Sequence, residues 1–100
     1  MATKRVVLHA STAESLSRAR RNVQNLLASR PNTEVLIVAN AGAVSAALET
    51  LGDHTDQYLR LCRNSLIAQG LTNDKGIEEI EAAVVTLMEL QTIGWAYIHA

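Results

Sequence analysis

The chain is poor in cysteine, lacks phenylalanine, holds one proline and is nearly balanced in charge. A single thiol, Cys62, excludes an internal disulfide and any dithiol mechanism within one chain. It suits a reducing compartment. Trp95, Tyr58 and Tyr97 are the only aromatics, too few for the stacking platforms that bind single-stranded nucleic acid. The net charge of −1 gives no global field toward nucleic acid or an anionic membrane. No apolar stretch approaches bilayer-spanning length. Met1–Arg5 lacks the apolar region and cleavage site of a signal peptide. These absences predict a cytoplasmic protein with no nucleic acid and no membrane as partner. No Gly-rich loop, nucleophile elbow or zinc spacing occurs, so neither a cofactor nor a metal is expected.

What remains is one domain, residues 1–100, with 48% hydrophobic residues drawn mostly from Ala, Val, Leu and Ile. Such a core suits thin strands packed against helices. Strands are predicted near residues 4–9 and 34–39, where continuous apolar runs imply burial on both faces. A third, residues 57–62, alternates polar and apolar residues. Between the first two, Ser11 and Glu14 read as the N-cap and N3 of a capping box. Leu16, Ala19, Val23, Leu26 and Leu27 follow with helical spacing, and Pro31 ends that helix. Val44, Ala47, Leu48 and Leu51 form a second stripe, with Gly52 as its cap. Asp53–Asp56 reads as loop, and Arg63 to Gln69 as a short helix stopped by Gly70. Residues 77–92 have two readings. One is a single helix, favoured by Glu78, Glu79 and Glu81, which are poor strand residues. The other is a strand at 80–85 followed by a helix. Gly94 then leads into a last strand, 95–99. Alternating strands and helices imply a parallel sheet with right-handed crossovers.

Five pieces taken in order resemble the DsrE/DsrF-like family of small intracellular sulfur-relay proteins, in its uncharacterised single-domain branch. They are Val7-Leu8-His9, the helical stretch Asn22–Leu27, Val35–Gly42, Leu61–Leu66 and Leu90–Ile98. The resemblance implies a three-layer α/β/α sandwich with a five-stranded parallel sheet in order 4-3-2-1-5. It also implies the strand-then-helix reading of 80–92. It further implies a homo-oligomer, trimer or hexamer, that holds sulfur as a persulfide on one cysteine. Cys62 matches that cysteine by its place after the third strand. Arg63-Asn64-Ser65 replaces the small residues that follow it in the best-studied relay subunits.

Ligands of open α/β sheets bind beyond the carboxyl ends of the strands. The implied order sets Cys62, Asn40, His9 and His99 there in a row. Strands about 4.8 Å apart would hold His9 roughly 10 Å from Cys62, too far for a direct Cys–His pair. Asn40 is the nearer neighbour. Donors for a thiolate or persulfide anion are the backbone N–H groups after Cys62, the Asn64 amide and the Arg63 guanidinium, with Ser65 beside them. The opposing reading makes Cys62 a small buried hydrophobe. His9 and His99 alone make a weak metal site. Arg18, Arg20 and Arg21 read as a solvated face, and His54 as an exposed loop residue. Two functions are carried forward. The first is a sulfur carrier on Cys62, a possible sulfurtransferase-type protein served by donor and acceptor proteins. The second is a non-enzymatic small-ligand-binding module, with a structural subunit of an oligomer as a further alternative.

Overall fold

The computed structural model describes residues 3–50 and 52–100. The expectations placed on Met1, Ala2 and Leu51 lie outside the described residues. The strands are β1 (Arg5–Ala10), β2 (Glu34–Ala39), β3 (Leu59–Cys62), β4 (Glu79–Ile80) and β5 (Ala96–His99). All pair in parallel, in the order β4-β3-β2-β1-β5. The helices are α1 (Ala13–Ser29), α2 (Gly42–Glu49), α3 (Arg63–Ala68) and α4 (Ala83–Thr92).

The continuous apolar runs serve two faces. Val6, Leu8 and Ala10 of β1, with Val35, Ile37 and Ala39 of β2, pack against Leu16, Ala19 and Val23 of α1 and Ala43, Val44 and Ala47 of α2. Val7, Val38 and Cys62 point the other way and meet Ala83 and Leu87 of α4. Leu8 and Ile37 are essentially sealed from solvent, and burying each such side chain contributes about 2 kcal/mol. Leu66 and Ile77, from the β3–β4 connection, still belong to the α1/α2 side. The chain therefore changes face at β4. A right-handed connection that travels back across the sheet must run on the opposite face, and α4 does so. The result is the three-layer α/β/α sandwich, with α1, α2 and α3 on one face and α4 on the other.

Several boundaries differ from those predicted. The capping box is Thr12 with Ser15, not Ser11 with Glu14. Buried Ser15 Oγ accepts from the N–H of both Ser11 and Thr12, at 2.8 and 3.0 Å. A hydroxyl does there what a glutamate usually does. α2 ends at Glu49 with extended Thr50 as its C-cap, so Gly52 is not the cap. Residues 77–92 are not one helix. β4 is nevertheless only two residues long, and α4 begins at Ala83, inside the stretch predicted as strand. The Val84-Val85 pair, strand-like by propensity, is overridden by the need to cover Val7 and Val38.

The expected loop at 53–56 and the start of the third strand are instead a 3-10 helix, His54–Tyr58. Asp53 caps it, accepting from the Thr55 N–H at 2.8 Å. Exposed His54 lies on this turn, as does Asp56. Arg20 is the reason the turn is fixed. It is buried against the turn rather than solvated with exposed Arg18 and Arg21. Its Nη1 donates to Thr55 Oγ1 at 2.6 Å and Asp56 Oδ1 at 2.9 Å, with Asp53 Oδ1 at 3.5 Å. Lys75 Nζ adds a contact to Asp56 Oδ2 at 3.2 Å. It also donates to the Ala47 and Thr50 carbonyls at the end of α2, both at 2.9 Å.

Hydrogen bonds from the Thr55 hydroxyl and N–H hold the Asp53 carboxyl below its ordinary range. Burial pushes Asp56 up, but hydrogen bonds from Arg20, the Asp53 N–H and Lys75 outweigh it and lower it. Both carboxylates therefore favour the fold in full above about pH 4, the unfolded value. That contribution is lost as pH falls through their lowered folded-state values. Arg20→Met should cost about 3 kcal/mol at pH 7 in urea melts and flatten the loss of stability between neutral and acid pH. A cost under about 1 kcal/mol would place Arg20 with ordinary surface ion pairs.

Candidate functional site

The change of face at β4 sends the chain from the carboxyl ends of the neighbouring strands β3 and β4 to opposite sides of the sheet. The chain leaves β3 into α3 on one side and leaves β4 into α4 on the other. Topological switch points of this kind are where open α/β sheets bind ligands. Cys62 ends β3, occupies the N-cap position of α3 and packs against Ala83, the first residue of α4. Two helix starts thus converge on one sulfur. Neither helix has a side-chain cap of ordinary hydrogen-bond geometry. The thiol lies near the first N–H groups of both helices, and these bear on its ionisation.

Those contacts decide its ionisation. Burial pushes the Cys62 thiol up, because a thiolate loses hydration there. The Ser65 hydroxyl and the N–H groups of Ser65, Ala83 and Asn64 outweigh that, and the net shift is downward. Cys62 is 5% exposed, so the group that favours the reactive anion is nearly covered.

Ser65 is fixed by a neighbour that the sequence did not suggest. Its Oγ accepts from the Ala41 N–H at 3.0 Å, leaving the hydroxyl proton for the sulfur. Ala41 has φ 48° and ψ −132°, a conformation that costs a non-glycine residue on the order of 1–3 kcal/mol. The Ala41 carbonyl accepts from Gln69 Nε2 at 3.0 Å. Two side chains from the α3 segment, Ser65 and Gln69, thus clamp the strained peptide between β2 and α2.

Asn40 precedes Ala41 and belongs to a second group. Its Oδ1 lies 2.9 Å from His9 Nε2, and His9 Nδ1 lies 2.8 Å from the Tyr97 hydroxyl. With Asn40 Oδ1 accepting, Nε2 carries the ring proton and Nδ1 accepts from Tyr97. His99 completes the group, its ring edge-on to His9 at 5.3 Å between centroids. His9 has no bond to Cys62, as the strand spacing predicted. The structure therefore brings His9 and Asn40 together, and Cys62 with Ser65. The two groups are joined through the Asn40–Ala41 peptide.

The other expected donors are differently placed. Arg63 Nε is 3.2 Å from Glu79 Oε1 and forms an ion pair with it. Asn64 is exposed, and its backbone N–H, not its amide, bears on the thiol. Among the described residues no cluster of three His, Cys, Asp or Glu side chains is placed to hold a metal ion.

Beside the His9 group lies a cleft of about 610 Å³ between the strand ends and α4. His9, Asn40 and Tyr97 form its polar wall; Val84, Leu87 and Met88 form much of the other. Tyr97 and the α4 wall were missed from sequence. Tyr97 was accessible to that reasoning, since it lies two residues before His99 and so on the same face of the strand.

No protein-family model matches the chain, and no curated protein matches it. Among solved structures it is similar to the protein of unknown function MTH1491 from Methanobacterium thermoautotrophicum. The identity is 25%, the TM-score is 0.80, and the match covers 97% of this chain and 99% of that one. The likeness supports the fold from end to end.

The Ser65 hydroxyl yields a direct test. Ser65→Ala should raise the Cys62 pKa and slow its reaction with methyl methanethiosulfonate at pH 7 by about fivefold, the worth of one hydrogen bond. The fold should persist by circular dichroism. An unchanged rate would remove Ser65 from the activation of the thiol.

Proposed function

We propose that the protein carries sulfane sulfur on Cys62 and passes it between a donor and an acceptor protein, in the manner of DsrE/DsrF-like carriers. The observation that carries this reading is the ring of donors around Cys62, which favours its anion despite burial. The chemistry is balanced without a cofactor. The Cys62 thiolate attacks the outer sulfur of a donor persulfide, an S–S bond forms, and the donor thiolate leaves. The terminal sulfur now bears the proton or the negative charge. Attack on that outer sulfur by an acceptor thiolate returns Cys62 to its starting state. The N–H groups that favour the thiolate also suit a persulfide anion. The side chains of Arg63 and Asn64, exposed in the first turn of α3, would meet a partner rather than the sulfur.

The carrier reading includes a homo-oligomer. Ile98 of β5, the edge strand that follows α4, is a large apolar side chain 48% exposed. Ile93, between those elements, is 65% exposed. Surfaces of this kind are usually covered by association. We take a trimer or a hexamer as the working state and the cytoplasm as the compartment. No helix among the described residues is long and apolar enough to cross a membrane.

One observation favours the rival reading, a non-enzymatic ligand-binding module. The cleft is lined by His9 and Asn40 and not by Cys62. In that case the thiol belongs only to the core beneath α4.

Intact mass after incubation with a persulfide donor separates the two. The carrier gains one sulfur mass, loses it to dithiothreitol, and gains nothing as Cys62→Ser. A native thiol inert to both methyl methanethiosulfonate and the donor until denaturant is added would end the carrier reading. Light scattering at micromolar concentration should report three chains or six, and a monomer would count against the assembly.

A further inference from the structure

The cleft between α4 and the strand ends has an uncharged wall. Among the described residues that line it there is no Lys, Arg, Asp or Glu. The α4–β5 stretch supplies most of that lining, and from Ala82 to Ala100 its only formally charged side chain is Glu89. An anion entering the cleft would give up water for no cation, and a cation would find no carboxylate. Its volume of about 610 Å³ falls within the range that holds small organic molecules.

The polar groups in the lining are partly committed, and what they have left defines the ligand. Asn40 Oδ1 is taken by His9 Nε2–H, so the Asn40 NH₂ group is the donor left over. With a neutral His9 ring the Tyr97 hydroxyl donates to Nδ1, and its oxygen retains accepting capacity. Thr92 Oγ1 donates to the Met88 carbonyl at 2.8 Å, and Gln91 Nε2 donates to the Leu87 carbonyl at 3.1 Å. Both oxygens are left as acceptors. Leu87, Met88 and Val84 offer an apolar surface on the α4 side.

We infer that this cleft binds a neutral, largely apolar small molecule whose carbonyl oxygen accepts from Asn40 Nδ2, with its N–H or O–H groups donating to the Gln91, Thr92 or Tyr97 oxygens. Carboxylic amides, lactams and related heterocycles have this chemistry. The His9–Tyr97 pair fixes which way Asn40 faces, so it positions the donor. The inference rests on the cleft and not on the sulfur chemistry of Cys62; an inert thiol leaves it standing.

Benzamide, benzoate and benzamidine form a series of nearly one shape and three charges. Each is titrated into the full chain at pH 7 and followed by ¹⁵N–¹H correlation spectra. Benzamide should move the Asn40 side-chain NH₂ signals and the backbone signals of Val84, Leu87 and Met88, with a Kd of about 1 mM for so small a probe. Benzoate and benzamidine should each bind at least about fivefold more weakly, the equivalent of one unmade hydrogen bond. Asn40→Asp keeps the acceptor for His9 but replaces the donor with a negative charge. It should weaken benzamide by about fivefold or more and make benzamidine the best of the three. Benzoate binding as tightly as benzamide to the native chain overturns the inference. So does an absence of cleft shifts at high probe concentration. Cleft signals that move with protein concentration alone also overturn it, since a second copy then fills the space.

Discussion

The fold turns on a single change of direction. Three strands are laid down one way across the sheet, and β4 extends that march by one short step. The chain then has to travel back past β3, β2 and β1 to set β5 on the far edge. Parallel strands joined by crossovers of one hand allow this only if the returning helix changes face. From that constraint follow the lone helix on one side, the open cleft beside it and the meeting of two helix starts at Cys62. Each site residue owes its position to this return path rather than to any local motif.

Energetically the two faces are unequal. The α1/α2 side is closed by a large apolar cluster and tied at its rim by Arg20, Lys75 and two aspartates. The α4 side rests on five buried residues, one of them the thiol. Local opening in proteins tends to involve regions with few buried apolar contacts. The thinner layer is thus the one that covers both the sulfur and the cleft, and it is the layer that can open without disturbing the main core.

Much of this was legible in the chain. Buried runs such as Val35–Ala39 and helical stripes such as Leu16–Ala19–Val23 follow directly from periodicity. The sheet order did not; it came from the resemblance, because strand order depends on which face each crossover takes. Boundaries failed where tertiary demands won. Val84 and Val85 became helical because α4 has to start early enough to lie over Val7 and Val38. Arg20 was misread because its partners, Asp53 and Asp56, are more than thirty residues away in sequence. At the site, the placing of His9, Asn40 and Cys62 followed from strand ends. The link from Ser65 to Ala41 did not, since nothing in an alanine announces a positive φ.

The N-cap of a helix is a position where serine, threonine, aspartate and asparagine excel, and sulfur is a poor substitute. Cys62 stands at such a position and also faces the uncapped start of α4. A hydroxyl there would serve as a starter for two helices at once. The thiol therefore occupies the spot at some expense in helix-starting strength. Oxygen would make the sturdier hinge pin between β3 and its two flanking helices; sulfur makes the softer, more polarisable one.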